Sequence, residues 1–479
     1  MRRVLRGLPL LLLSPLAAFV SLAAIALADL LWLIAGRRRA PADRRPSREA
    51  VSIVIPTWNG REQLERNLAS VVAAAAPNPE NEIIVVDNAS EDGTAAWLAA
   101  QFPRVRLLRQ ERNLGFGGGS NAGFRAARHE IVVLLNNDMR VDEGFLAPLV
   151  AGFTDEKVFA VSCQIYFRDP DRPREETGLT QGWWENGTLG VRHRVDDRIR
   201  DLFPCFYGGG GSCAFDRRKF FELGGFDDIF HPFYLEDTDL GFSAWKRGWK
   251  IFFQPASIVW HEHRGTIGRR FTEAQIKAVL QKNFLLFAWK NIHEWPRLLS
   301  GFFFTAATGK AGALCRAFLQ LPGALRSRWR SRGLAVIPDT EAFRRPLGGY
   351  FHDRFGELPA APERLSVLFV SPYPICPPVH GGGVFMYQTL KELAPLCELH
   401  LIVLLDSPHG EEPHAELVRQ CASATFLVRL EGQPRQFGSI VPFAIREFED
   451  AGLDWAIHRT CYLAAADVLQ LEYLPMGQY

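Results

Sequence analysis

A chain of 479 residues is too long for one ordinary hydrophobic core, so two or three domains are expected. At 47% hydrophobic and 23% charged the composition is globular, and a net charge of +2 gives no general case for nucleic acid or for a strongly acidic partner. The eight cysteines form no CxxC pair, which argues for a reduced compartment and against a disulfide framework or a structural zinc site.

Residues 8–35 are apolar with Asp29 as their only charge. That length suffices for a transmembrane helix and is long for a signal-peptide core. Arg37, Arg38, Arg39, Arg44 and Arg45 follow the segment, while Arg2, Arg3 and Arg6 precede it. The larger positive cluster places the rest of the chain on the cytoplasmic face of the inner membrane. Pro15 or Asp29 would instead mark a re-entrant or interfacial segment. Residues 36–50 form a charged linker.

From 51 to 265 the pattern is α/β. VSIVI at 51–55, EIIVV at 82–86, 105–109 and IVVLL at 131–135 read as strands, and about 60–76, 93–100 and 118–128 as helices. Short apolar runs alternating with helices predict a mainly parallel, three-layer sheet. Chemistry in such sheets gathers at the carboxyl ends of the strands, where Pro56, Thr57, Asp87 and Asp138 lie. Residues 168–203 are polar and turn-rich and read as a loop or small insertion on the acceptor side. A helix is expected from Glu236 to Lys246, then a strand at 251–255 with His261 and His263 beyond it.

Residues 266–335 are helical in pattern. Within them 284–307 reads equally well as a membrane-surface amphipathic pair or as helical core. The run Arg326, Arg328, Arg330, Arg332 would meet anionic headgroups, though a solvated linker is the safer reading. After a linker at 336–363, a second α/β unit spans 364–479. Strands are expected at 365–374, 398–405, 424–430 and 466–473, with a glycine turn entering a helix at 380–394.

The acidic groups suggest a metal-dependent nucleotide-sugar transferase. Asp138, in LLNND, can ligate Mg²⁺ or Mn²⁺ through oxygen, and His261 can supply a nitrogen ligand that favours Mn²⁺. Asp237 or Glu236, in YLEDTDL, can take the acceptor proton as general base. Glycines 117–119 permit close backbone approach to a donor. Plainer roles also exist: Asp138 as a turn residue, Asp237 as a helix-start charge, the histidines as surface groups. Asp239 reads as a structural or acceptor-contacting carboxylate rather than the base.

Five ordered motifs carry a resemblance: VSIVIPTWNG, EIIVVDNASEDGT, NLGFGGGSNAGFRAA, VVLLNNDMRVDEGFL and the stretch from GGGGSCAF to IVWHE. Together residues 51–265 resemble an inverting, GT-A-fold glycosyltransferase of family 2, closest to bacterial rhamnosyltransferase-like enzymes. The resemblance implies that Thr57 and Asp87 sit beside the nucleoside. It also implies donor contacts from Pro56, Asn59, Asn113, Gly115, Phe116, Gly117, Asn121, Asn136 and Asn137. Asp138 would be the metal-binding aspartate, with Asn136 where many members have a first aspartate, and His261 a further metal-side ligand. Asp237 would be the base and Glu236 would orient the acceptor. The segment VLFVSPYPICPPVHGGGVFMYQTLKELA is similar to the opening of a family 4, GT-B transferase. That implies the N-terminal half of a Rossmann-like pair, here apparently truncated.

The expected function is inverting sugar transfer from a nucleotide-sugar donor, dTDP-rhamnose preferred over UDP-sugars, to a lipid-linked or cell-surface glycan. Polysaccharide-assembly proteins are further expected partners and nucleic acid is not. The alternative is a noncatalytic glycan-binding or assembly protein built on transferase folds.

Overall fold

The computed structural model describes residues 2–169, 171, 174–185, 187–209, 211–262, 271–308, 310–347, 364–428 and 450–478. His263 and the end of the expected strand at 424–430 lie outside these residues. The chain divides into two compact units, Met1–Pro346 and Leu347–Tyr479.

The first unit is built on a nine-stranded sheet. In chain order its strands are β1 (Val51–Thr57), β2 (Glu82–Asp87), β3 (Arg106–Arg109), β4 (Ile131–Leu135), β5 (Met139–Val141) and β6 (Val158–Phe167). A separate hairpin, β7 (Thr180–Glu185) and β8 (Thr188–His193), interrupts them before β9 (Phe203–Pro204), β10 (Ser212–Asp216) and β11 (Lys250–His261). The sheet runs β3-β2-β1-β4-β10-β6-β11-β5, with β9 on β11. Its β3-β2-β1-β4 half is parallel, but β10 is antiparallel to both its neighbours, and β5 and β9 are antiparallel to β11. The mainly parallel expectation thus holds for the first half and for the β6–β11 pair.

β1, β2 and β4 are buried along their whole length. One face, with Ile53, Ile55 and Val85, packs on Leu64, Leu68 and Val71 of the helix Arg61–Ala75. The other face receives the helix Gly115–Ala126. That helix begins within the glycine run, earlier than helix propensity suggests. A Cβ on Gly123 would lie 2.3 Å from Val54 Cγ1, and one on Gly119 would lie 2.4 Å from Asn88 Nδ2. Close packing on the sheet therefore offsets the poor intrinsic propensity of glycine.

Two further expectations change. The expected loop or small insertion at 168–203 contains the β7–β8 hairpin, and the sequence between those strands carries Asn-Gly at 186–187, a known hairpin signal. The expected strand at 251–255 runs on to His261, with a register shift between Gln254 and Ile258, so that His261 pairs with Met139.

The arginine run is no linker. It lies on the helix Leu321–Leu334, which packs with the helix Ala311–Phe318 against the apolar N-terminal helix Arg2–Ala35. Arg328 is 1% exposed and holds Asp29 by two bonds of 2.7 and 2.6 Å; Arg332 lies 3.3 Å from the same carboxylate. Arg328 also donates to the carbonyls of Trp289 and Ile292, at the end of the helix Glu273–Asn291. That last turn is core, with Leu286, Phe287 and Trp289 buried, whereas Phe303 on the helix Trp295–Ala307 is 75% exposed. Among the described residues, Leu13–Ala35 is the one stretch long and apolar enough to cross a membrane.

In the second unit β12 (Ser366–Ser371), β13 (Glu398–Leu405), β14 (Ser423–Val428) and β15 (Val468–Leu471) form a parallel sheet ordered β14-β13-β12-β15. The helices Gly381–Leu393 and Ala451–Ala464 supply buried residues to two apolar clusters that also contain side chains from this sheet.

Arg328→Met should destabilise the first unit by about 3–5 kcal/mol, because Asp29 is left buried without its strongest partner. Asp29→Leu/Arg328→Met should recover most of that loss. Denaturant unfolding of the full chain in detergent checks both.

Candidate active site

The loops after β1, β2 and β4 meet at one end of the sheet. Thr57 and Asp87 are register partners at the ends of β1 and β2. Thr57 Oγ1 accepts from Asn137 Nδ2 at 2.8 Å, tying the first loop to the NND turn. Asn59 N donates to Ser90 Oγ and Asn59 Oδ1 accepts from Glu91 N, both at 2.8 Å, tying the first loop to the second. Asp87 is fully buried; its Oδ1 accepts from Ser90 N, and its Oδ2 makes no hydrogen bond among the described residues, with Arg109 at 3.9 Å.

The glycine helix presents its first turn to the same end. Asn113 Oδ1 accepts from Gly115 N at 2.8 Å, and Asn88 Nδ2 donates to Gly115 O at 3.3 Å. Phe116 and Gly117 pack on Phe226, and the Asn121 amide is fully engaged with the backbone N–H and carbonyl of Phe226 at 3.0 and 2.8 Å. Pro56 lies within β1, and Asn136 N donates to Gly211 O at 2.9 Å.

β11 and β5 bring His261 to Asp138. His261 Nε2 lies 3.3 Å from Asp138 Oδ1, and its Nδ1 lies 2.7 Å from Glu176 Oε2. Burial alone would depress this imidazole, but the two carboxylates outweigh it and raise it to about 10. Among the described residues no three His, Cys, Asp or Glu groups form a ready metal cluster. Asp138 Oδ1 nevertheless makes no hydrogen bond there. The Asp138 oxygen would suit Mg²⁺ or Mn²⁺, and His261 would add a nitrogen ligand, favouring Mn²⁺, only on losing the proton that the two carboxylates stabilise.

Glu236 and Asp237 open the helix Glu236–Lys246. Tyr234 and Leu235 before them have φ of 70° and 72°, a left-handed conformation that side chains disfavour. Glu236 is buried, and burial, then Asp237, raises its carboxyl to about 8; its Oε2 makes no hydrogen bond among the described residues. Asp237 Oδ1 accepts from Thr238 N at 2.7 Å. Asp239 points the other way, to Lys290 and Asn291 at 2.6 Å each, and so is structural.

Three side chains absent from the sequence reading connect the two halves. His193, on β8, lies 3.4 Å from Tyr207 Oη and feels the charges of both Glu176 and Asp237, although burial keeps its imidazole below the usual value. Glu176 faces His261. Only the Asn-Gly pair in the sequence pointed toward this hairpin, and nothing in the local sequence singled out Glu176 or Tyr207. Cys163 and Cys205 are buried and pushed up to about 12, which leaves them unreactive.

The raised Glu236 carboxyl sets a pH dependence. Its protonated form is favoured in the fold, so its contribution to stability is full below about pH 4.5 and is lost as pH rises toward about 8. Glu236→Gln, which fixes the neutral form, should flatten that decline; melting temperatures of both proteins between pH 4 and 9 check this.

Residues 52–221 match the model of glycosyl transferase family 2. The chain is 28% identical over 247 residues to the N-acetylglucosaminyl-diphospho-decaprenol L-rhamnosyltransferase of Mycobacterium tuberculosis, covering 46% of this chain and 78% of that protein. It is also 28% identical over 227 residues to N-acetylgalactosaminyltransferase 6 of Drosophila melanogaster, covering 45% and 34%. The chain spans 39% or less of the animal N-acetylgalactosaminyltransferases it matches. A looser likeness links it to the crystal structure of GalNAc-T7 with UDP, GalNAc and Mn²⁺, at 20% identity, TM-score 0.42, and 53% and 50% coverage. The segment matched by the glycosyl transferase family 2 model, residues 52–221, is the one that builds the loops after β1, β2 and β4.

Proposed function

We propose that the 51–265 domain transfers a sugar, with inversion, from a nucleotide-sugar donor to a hydroxyl of a lipid-linked or cell-surface glycan. The observation that carries this reading is that His261 faces both Asp138 and Glu176 while His193 feels the charges of Glu176 and Asp237, so the Asp138 and Asp237 carboxylates share one electrostatic cluster. Buried carboxylate oxygens of Asp87, Asp138 and Glu236 make no hydrogen bond among the described residues. Buried acceptors without donors are costly unless a ligand completes them.

In this reading Thr57 and Asp87 hold the nucleoside, and the first turn of the glycine helix faces the donor. Glu236 keeps its proton through neutral pH and orients the acceptor as a hydrogen-bond donor. Asp237 therefore takes the acceptor proton. The acceptor oxygen forms its bond to the anomeric carbon as the bond to the diphosphate breaks, and no enzyme nucleophile is needed. Asp138 and His261 would hold Mg²⁺ or Mn²⁺, which supplies positive charge beside the leaving diphosphate when bound.

A rhamnosyl donor and a lipid-diphosphate acceptor are supported by the name of the mycobacterial relative. The apolar N-terminal helix supports attachment to the inner membrane with the site on the cytoplasmic side. For the second unit, the four parallel strands support a Rossmann-like arrangement, and its GT-B type rests on the sequence resemblance alone.

Asp237→Asn should lower transfer by about 10²–10⁴-fold while retaining donor binding. Asp138→Asn should weaken metal-dependent donor binding. Turnover by the full chain with a nucleotide-sugar panel and a lipid-linked glycan extract checks both; undiminished turnover in Asp237→Asn would remove the base assignment.

A further inference from the structure

A cavity of about 920 Å³ lies against the glycine helix, and its lining includes Asn113 and Leu114 just before that helix. Gly119 and Gly123 face Asn88 and Val54 at the sheet, whereas Gly118, Asn121 and Arg125 line the cavity. The other walls are the turn Asp228–Phe230 and the helix Leu321–Leu334. Four guanidiniums border it: Arg112 and Arg125 from one wall, Arg326 and Arg330 from the other. Two aspartates also line it, but Asp227 is already held by Lys290 at 2.9 Å and by Arg330 at 3.3 Å. Arg112, Arg125 and Arg326 make no ion pair among the described residues. Several arginines around one concavity repel one another unless an anion sits between them, and their planar forks match phosphate oxygens.

The helical period gives this cavity a location. On the helix Leu321–Leu334, Arg328 and Arg332 occupy one face and clasp Asp29, while Arg326 and Arg330 occupy the opposite face and reach the cavity. Asp29 lies six residues before the end of the apolar helix at Ala35, about 9 Å along its axis. Arg39 N donates to Gly333 O at 2.9 Å, so the end of the arginine helix meets the chain just past that apolar helix. With Leu13–Ala35 as the bilayer anchor, the arginine helix lies at the depth of the lipid headgroups.

We propose that this cavity binds the phosphate or diphosphate group of a membrane lipid. The inference rests on the anchor reading but not on the sugar chemistry; the cavity shares Asn113 and Asn121 with the expected donor contacts, while neither Asp87 nor Asp138 lines it.

The test uses the full chain in phosphatidylcholine nanodiscs with EDTA present. Phosphatidylglycerol or a polyprenyl phosphate is added to the bilayer, or pyrophosphate to the buffer. Hydrogen exchange is followed at residues 112–125 and 321–334. A bilayer phosphate should protect both segments, and Arg125→Ala/Arg326→Ala should need about tenfold more lipid for equal protection. Arg125→Lys/Arg326→Lys keeps the charge and should retain most of the effect, which separates lost binding from lost folding. Protection by polyprenyl phosphate alone assigns the site to a lipid carrier, and equal protection by both lipids assigns it to anionic headgroups; either upholds the proposal. Protection by pyrophosphate with neither lipid acting overturns the membrane source. No protection, or protection unchanged in the alanine variant, overturns the site. Co-elution of the chain with the discs reports on the anchor separately.

Discussion

Lys290 is the buried cation on which the position of the base helix depends. Its ammonium lies 2.6 Å from Asp239 and 2.9 Å from Asp227, and all three side chains are nearly sealed from solvent. Asp239 sits on the first turn of the helix that begins with Glu236 and Asp237. Desolvating three charges is expensive, and the arrangement is stable only because each is paired. At the far end of the same helix, Lys246 meets Asp339 at 2.6 Å and donates to the carbonyl of Asn291. The acidic pair is thereby fixed from behind by the helix Glu273–Asn291. Arg328 caps that helix through the carbonyls of Trp289 and Ile292 while holding Asp29. A contiguous buried polar chain thus runs from the apolar N-terminal helix to the candidate base.

The front of the site carries backbone strain. Within the first unit, the described non-glycine residues with positive φ are Asn59, Ala89, Tyr234 and Leu235. The first two lie in the loops after β1 and β2, and the last two lead directly into Glu236. Such conformations cost on the order of 1–3 kcal/mol each and persist only where surrounding contacts over-determine them. Here those contacts are the Asn59–Ser90 bond at one edge and, behind the other, the carbonyls of Phe233 and Tyr234 taken by Asn283. Rigid supports outside and strained loops inside are what a preorganised polar site requires.

Much of this was legible in local patterns. The uniform apolar runs of β1, β2 and β4 announced strands buried on both faces, and Asp87, Asp138 and the Glu236–Asp237 pair stand where strand ends and a helix start would place them. What stayed hidden depends on contacts between distant residues. Propensity argues against a helix starting at Gly115, because it cannot register that Asn88 and Val54 leave no room for side chains. The antiparallel β10 follows a four-glycine stretch that masks it. Glu176 and Tyr207 acquire their place only when the hairpin folds over the site. The arginine run read as a linker because its partner, Asp29, lies some three hundred residues away and itself looked like a blemish in an apolar span.

The central claim is a single displacement with Asp237 as base and no covalent sugar–enzyme intermediate. The direct measurement is the anomeric configuration of the product, read by proton NMR from the first turnovers with a donor of known configuration. Inversion relative to the donor is the expected result. Retention would require a double displacement or an internal-return path and would contradict the role assigned to Asp237.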